Sequence, residues 1–220
     1  MKPVIIIGGG GHARSIRALL NGLPNYEPVG YTAMSPGDMG DLPYLGDDRV
    51  LPRLFADGIR TAVLGVGSIQ PGRLRRRLLT DLMAIGFELP VIKAVSAVVA
   101  DDVQIGAGTV LFERAVVNAR TRLGEGVIIN TGAVVEHDCV VGDFTHLAPA
   151  SVLGGGVRLD ADVHVGLNAT VIENRVISSR ILIGAGAVVC EDCLQPGVYV
   201  GVPARRLRGW NDDETGWDSR

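Results

Sequence analysis

The sequence predicts a small α/β unit followed by a parallel β-helix, and three observations carry that reading. Aliphatic residues recur every six positions from Val99 to Val189, a run of four glycines follows an apolar stretch near the start, and strand-like and helix-like segments alternate between the two.

The elements follow in order. Val4-Ile5-Ile6-Ile7 reads as a buried strand, Gly8-Gly9-Gly10-Gly11 as a tight turn, and His12 to Leu20 as a helix, with Ile16, Leu19 and Leu20 on one side and Asn21-Gly22 ending it. Val29-Gly30-Tyr31 reads as a second strand, Ala62 to Val66 as a third, and Pro71 to Ile85 as a helix. Strand-helix alternation of this kind builds a parallel sheet, so residues 1–90 are expected to form a Rossmann-like α/β domain with its boundary near Pro90.

From Val99 the count in sixes gives Val99, Ile105, Leu111, Val117, Leu123, Ile129, Val135, Val141, Leu147, Leu153, Leu159, Val165, Val171, Ile177, Ile183 and Val189, all aliphatic. Four residues after each, the side chain is mostly small or β-branched, as at Thr109, Ala115, Thr121, Cys139 and Ser151. One large aliphatic and one small residue pointing inward per hexapeptide is the pattern of a parallel β-helix with three hexapeptides to a coil. Coils then stack at roughly 4.8 Å, and about five fit between residues 99 and 193. Only Phe112 and Phe144 are aromatic there, as a narrow prism requires, and Arg175, at an inward position, is expected to mark a bulge. The β-helix is placed at residues 91–208, closed by Pro196-Gly197 and Gly201-Val202-Pro203, with residues 209–220 a C-terminal tail whose last ten residues are frayed.

Composition excludes several functions. With 21 basic and 24 acidic side chains the chain is slightly acidic, which argues against a nucleic-acid partner. No apolar run approaches a membrane span and no cationic leader precedes Val4, so no membrane partner and a cytoplasmic location are expected. Cys139, Cys190 and Cys193 are an odd number at spacings unsuited to a disulfide framework, and read as reduced, structural thiols.

Two constellations could carry chemistry. Glycines between a strand and a helix let backbone N–H groups and the helix N-terminus approach a phosphate. Gly8, Gly10 and Ala13 fit the G-x-G-x-x-A variant, but no acidic residue stands near Tyr31 to Met34 to read a ribose hydroxyl, which favours a phosphate or nucleotide-sugar site over a dinucleotide. His137, His146 and His164 lie on the prism. His146 and His164 are one coil apart, while one coil beyond His137 stands Gly155 between Gly154 and Gly156, leaving an open slot beside the imidazole. Glu136 or Asp138 can orient that ring and raise its basicity; His164 reads as a solvated residue.

The run Gly8 to His12, the segment Val135-Glu136-His137-Asp138-Cys139-Val140-Val141-Gly142-Asp143-Phe144-Thr145-His146 and the ending Gly201-Val202-Pro203-Ala204-Arg205 resemble the bacterial nucleotide-sugar N-acetyltransferases of bacillosamine and perosamine synthesis, which are similar to sialic acid O-acetyltransferases. The resemblance implies a homotrimer of left-handed β-helices, acetyl-CoA bound between neighbouring helices as co-substrate with no further cofactor, and a nucleotide sugar held by the N-terminal domain. It implies His137 as general base supported by Asp138. It also implies His146 and Gly155 near the thioester, Leu167, Ala185 and Gly186 along the pantetheine, Gly201, Val202 and Pro203 near the adenine, and Gly10, Gly11 and His12 at the diphosphate and sugar. Tyr31-Thr32-Ala33-Met34 stands where UDP-sugar members carry an acidic pair, which leaves UDP, GDP and dTDP open.

The expected activity is acetyl transfer from acetyl-CoA to the 4-amino group of a nucleotide-linked amino-deoxy sugar, UDP- or GDP-linked, by direct attack in a ternary complex. A sugar O-acetyltransferase would use the same base. A γ-carbonic-anhydrase-like zinc enzyme also fits a hexapeptide prism, yet no two histidines stand five apart, and no metal site is expected. A non-catalytic trimeric scaffold is the third reading.

Overall fold

The computed structural model describes residues 1–67 and 73–210. The N-terminal part is β1 (Lys2–Ile7), α1 (Gly11–Asn21), β2 (Tyr26–Thr32), β3 (Tyr44–Gly46), a 3₁₀ turn (Asp48–Val50), α2 (Leu51–Ala56), β4 (Thr61–Leu64) and α3 (Arg73–Ile85). Its four strands are all parallel, in the order β3-β2-β1-β4. Pro71 and Gly72, the expected start of α3, lie outside the described residues. The apolar run of β1 serves both faces of the sheet. Val4 and Ile6 share a core with Ala13, Ile16 and Leu20 of α1, while Ile5 and Ile7 pack with Leu51, Leu78, Leu79 and Leu82 of α2 and α3.

From β5 (Ile92–Lys93) to β21 (Val188–Val189) the described chain forms seventeen short strands that wind into a three-sided parallel prism, followed by β22 (Gly197–Val200) and β23 (Arg205–Arg208). One face holds Ile128–Ile129, His146–Leu147 and His164–Val165 and ends in β22 and β23; the second runs from Val98–Val99 through Val134–Val135 to β21; the third runs from Gln104–Ile105 to Val176–Ile177. Partners among β5 to β21 differ by 18 residues, as Arg122 and Val140 or His146 and His164 do, while β22 pairs with Ile181–Ile183 at a spacing of 16. Of the sixteen aliphatic positions, fourteen are buried; Val99 and Ile105, on the outermost strands of their sheets, have no coil stacked beyond them and are partly exposed.

The corners obey the same period. Every sixth residue from 108 to 186 takes the left-handed conformation, as glycine at 108, 126, 132, 156 and 186 and as another residue elsewhere, Asp138 among them (φ 61°). A second set of glycines answers to close approach: a Cβ on Gly106, Gly142 or Gly154 would come within 2.6 Å of the backbone of the next coil. The coil passes Arg175 without the expected bulge. Asn174 turns left-handed like its counterparts, the strand Val176–Ile177 stays paired with Arg158–Leu159, and the guanidinium bends back to the Glu173 carbonyl and towards Asp192. This is possible because Val176–Ile177 is the last strand of its sheet.

The α/β part is joined to the prism by buried contacts. Arg75 of α3, 1% exposed, donates to the carbonyls of Val66 and, at 2.6 Å, of Gly126 on the prism; burial lowers its pKa to about 10. Arg76 reaches Asp162 at 3.0 Å and lies 4.3 Å over the ring of Phe144. Residues 211–220, expected to fray, lie outside the described residues. No helix among the described residues is long and apolar enough to cross a membrane.

Candidate active site

One corner of the prism, between the second and third faces, carries Ala119, His137, Gly155 and Glu173 in a column. The amides of Asp138, Gly156 and Asn174 bond back to the carbonyls of Ala119, His137 and Gly155, which fixes the stacking. The left-handed turn at Asp138 brings its carboxylate back to its own neighbour: Oδ2 lies 2.7 Å from Nδ1 of His137. The other oxygen, Oδ1, sits 2.8 Å from Arg120, one coil away. The His137 hydrogen bond, with Arg120 second, holds the Asp138 carboxyl below the usual carboxylate range. An ionised carboxylate only accepts, so Nδ1 of His137 donates to it, and neutral imidazole then carries its free lone pair on Nε2.

That nitrogen faces the glycine. A Cβ on Gly155 would lie 2.8 Å from both Cε1 and Nε2 of His137. The N–H of Gly155 makes no hydrogen bond among the described residues. Glu136, the other candidate orienting group, accepts instead from Asn118 at 2.9 Å. The corner thus offers a base with an open nitrogen and, one coil away, a backbone donor. Cys139 takes no part. Its buried thiol bonds the Gly154 carbonyl at 3.2 Å, and burial pushes its pKa up to about 11.

The other expected residues lie elsewhere on the chain. His146 sits on the first face, 3.1 Å from Asn130, with the His164 ring edge-on at 4.9 Å. His164, expected to be solvated, is only 8% exposed, because its ring is packed against His146. Leu167, Ala185 and Gly186 are exposed on the corner between the first and second faces. Gly201, Val202 and Pro203 form the loop between β22 and β23, which Val188 anchors through the Gly201 carbonyl and the Ala204 amide. A single chain therefore unites His137, Asp138 and Gly155 and leaves the remaining prism residues apart from them.

At the glycine loop the four glycines have different reasons. Gly8 (φ 125°) packs against the Gly65 carbonyl and Gly9 against Tyr31, so both are fixed by the fold. A Cβ on Gly10 would meet nothing within 4 Å and one on Gly11 only Arg14 at 3.7 Å; both face the open at the start of α1. His12 turns inward, edge-on to Phe112 of the prism at 5.5 Å, with Nε2 buried. Burial first, and the Arg75 charge second, lower its pKa to about 4.

Sequence reasoning missed Arg120, Asn118 and Asn130. Eighteen-residue arithmetic would have found the first two, since Arg120 stands one coil from Asp138 and Asn118 one coil from Glu136. Among the described residues no group of three His, Cys, Asp or Glu side chains converges in a way that could hold a metal ion.

No protein-family model matches the chain. It is similar to PerB from Caulobacter crescentus, whose structure in complex with CoA and GDP-perosamine superposes with a TM-score of 0.89 at 36% identity, covering 93% of this chain and 97% of that one. The chain belongs to the nucleotide-sugar N-acetyltransferases. Within that family it also matches the acetyltransferase domain of PglB from Neisseria gonorrhoeae FA1090, with a TM-score of 0.88 at 30% identity over 94% of this chain and all of that domain. It is 28% identical over 147 residues to the GDP-perosamine N-acetyltransferase of Escherichia coli O157:H7, a match to 64% of this chain and 66% of that enzyme. This N-acetyltransferase superposes on PerB and on the PglB domain over both its α/β start and its prism.

Proposed function

We propose that this chain transfers the acetyl group of acetyl-CoA to the 4-amino group of a nucleotide-linked amino-deoxy sugar, in a ternary complex. The observation that carries the reading is His137, oriented by Asp138 through Nδ1 and open at Nε2 over Gly155. The amine lone pair attacks the thioester carbon while Nε2 takes the amine proton, so C–N bond formation yields no ammonium intermediate. In this reading the Gly155 N–H donates to the oxyanion. Collapse breaks the C–S bond, and the imidazolium proton goes to the departing thiolate. Acetyl-CoA is a co-substrate, and the chain's own groups supply the chemistry.

We further propose a homotrimer of left-handed β-helices with the site shared between copies. The outward residues of the second face are Val98, Val116, Val134, Val152, Thr170 and Val188, a flat apolar stripe with Val98 62% exposed. The His137 corner borders the stripe on one side and the Leu167–Ala185 corner on the other. A closed threefold ring built on this face brings the His137 corner of one copy to the Leu167, Ala185 and Gly186 corner of the next, walling in the pantetheine, with His146 and Gly201 to Pro203 along the same cleft. Residues 1–90 then act as a Rossmann-like nucleotide-sugar domain, with Gly10, Gly11 and His12 at the diphosphate and sugar, and residues 91–208 as the transferase domain. The neighbour PerB is crystallised with GDP-perosamine, which makes a GDP-linked 4-amino sugar the first substrate to try. The supply of acetyl-CoA places the reaction in the cytoplasm.

The test is a panel of GDP-, UDP- and dTDP-linked 4-amino sugars with acetyl-CoA, read by thiol release and by the mass of the acetylated sugar. Turnover of one of them supports the reading; thiol release with none of them, at any concentration, overturns it.

A further inference from the structure

His137 and Asp138 do not stand alone on their corner. Arg120, one coil back, takes the same left-handed turn (φ 59°) and its own N–H donates to Asp102 at 3.0 Å, so its backbone is tied to the coil beyond. Its guanidinium reaches 2.8 Å from Oδ1 and 3.0 Å from Oδ2 of Asp138. The carboxylate is thereby gripped from two sides, by imidazole Nδ1 and by guanidinium. The pair is surface-exposed, with Arg120 72% and Asp138 38% accessible, and an ion pair so exposed contributes little to stability.

We propose that Arg120 is a positioning residue for the transfer: by holding the second oxygen of Asp138 it locks the carboxylate against Nδ1 of His137 and aims Nε2 at the space over Gly155. This deepens the reading of His137 as the base and rests on it. Without the guanidinium, Asp138 is free to rotate about χ1 into solvent, and Nδ1 loses the partner that fixes the tautomer. The other charged groups on this corner are Glu136, held by Asn118, Glu173 beyond Gly155, and Asp102, which accepts from the Arg120 N–H.

The experiment is steady-state kinetics at neutral pH on the full chain with acetyl-CoA and the turned-over sugar nucleotide. Arg120→Gln is expected to lower kcat about tenfold at neutral pH with both KM values unchanged. Arg120→Lys restores part of the rate. Because Arg120 acts through Asp138, Arg120→Gln is expected to add nothing in an Asp138→Asn background. A wild-type rate for Arg120→Gln, or losses that add to those of Asp138→Asn, would overturn the assignment while leaving His137 as the base. Full activity of His137→Asn overturns the base itself, and this proposal with it.

Discussion

His137 covers Gly155 so closely that a Cβ on the glycine would stand 2.8 Å from Nε2 of the ring. Gly155→Val is therefore expected to abolish detectable transfer, by displacing the imidazole and the adjacent N–H together; loss of an oxyanion donor alone costs about 10²- to 10³-fold. The residue is at a corner and its φ is not left-handed, so the melting temperature should stay within a few degrees of wild type. An active Gly155→Val protein would place the chemistry on another corner.

Leu153, fully buried at an inward position two residues before that glycine, is the control for stability. Leu153→Ala should cost about 2 to 5 kcal/mol in denaturant unfolding, with kcat near normal below the melting transition. A loss of kcat without a loss of stability would mean that the prism's interior shapes the site directly.

The glycine loop separates packing from binding. Gly11→Val should leave the fold intact, because its Cβ meets only the end of Arg14, yet raise KM for the sugar nucleotide about tenfold or more and leave that for acetyl-CoA unchanged. Gly8→Val, at φ 125° against the Gly65 carbonyl, should instead lower stability. Equal KM values for wild type and Gly11→Val would remove the diphosphate from this loop.

His12 makes stability depend on pH in one direction. Its pKa is about 4 folded against about 6.5 for an unperturbed histidine, so the unfolded chain binds the proton more tightly. Its contribution is complete above about pH 6.5 and is lost as pH falls towards 4, to a total on the order of 3 kcal/mol. Melting temperatures taken between pH 7 and pH 4.5 should fall less steeply for His12→Gln than for wild type; parallel curves would show that His12 is not the group responsible.

The prism was legible because its period is strict. Sixteen aliphatic residues in register fixed the faces, and the same count placed Gly155 one coil from His137, as the carbonyl of His137 and the amide of Gly156 confirm. Features off that period were not. Arg75 sits in the basic run Arg73 to Arg77 and nothing in the run marks it as the one that is buried; only the packing of α3 on Gly126 does. β3 and α2 are too short for their periodicity to register. Arg175 looked like a break in the coil because an inward arginine is costly mid-prism, and at the end of a sheet it is not. His164 looked solvated because its packing against His146 depends on side-chain orientation, which spacing alone does not give.

The most direct measurement is the turnover of His137→Asn with acetyl-CoA and a GDP-linked 4-amino sugar, alongside acetyl-CoA affinity by calorimetry. The account predicts a kcat lower by on the order of 10² to 10⁴ with acetyl-CoA bound as in wild type. A variant that turns over at the wild-type rate at neutral pH would contradict it, and would assign proton removal to a group other than His137.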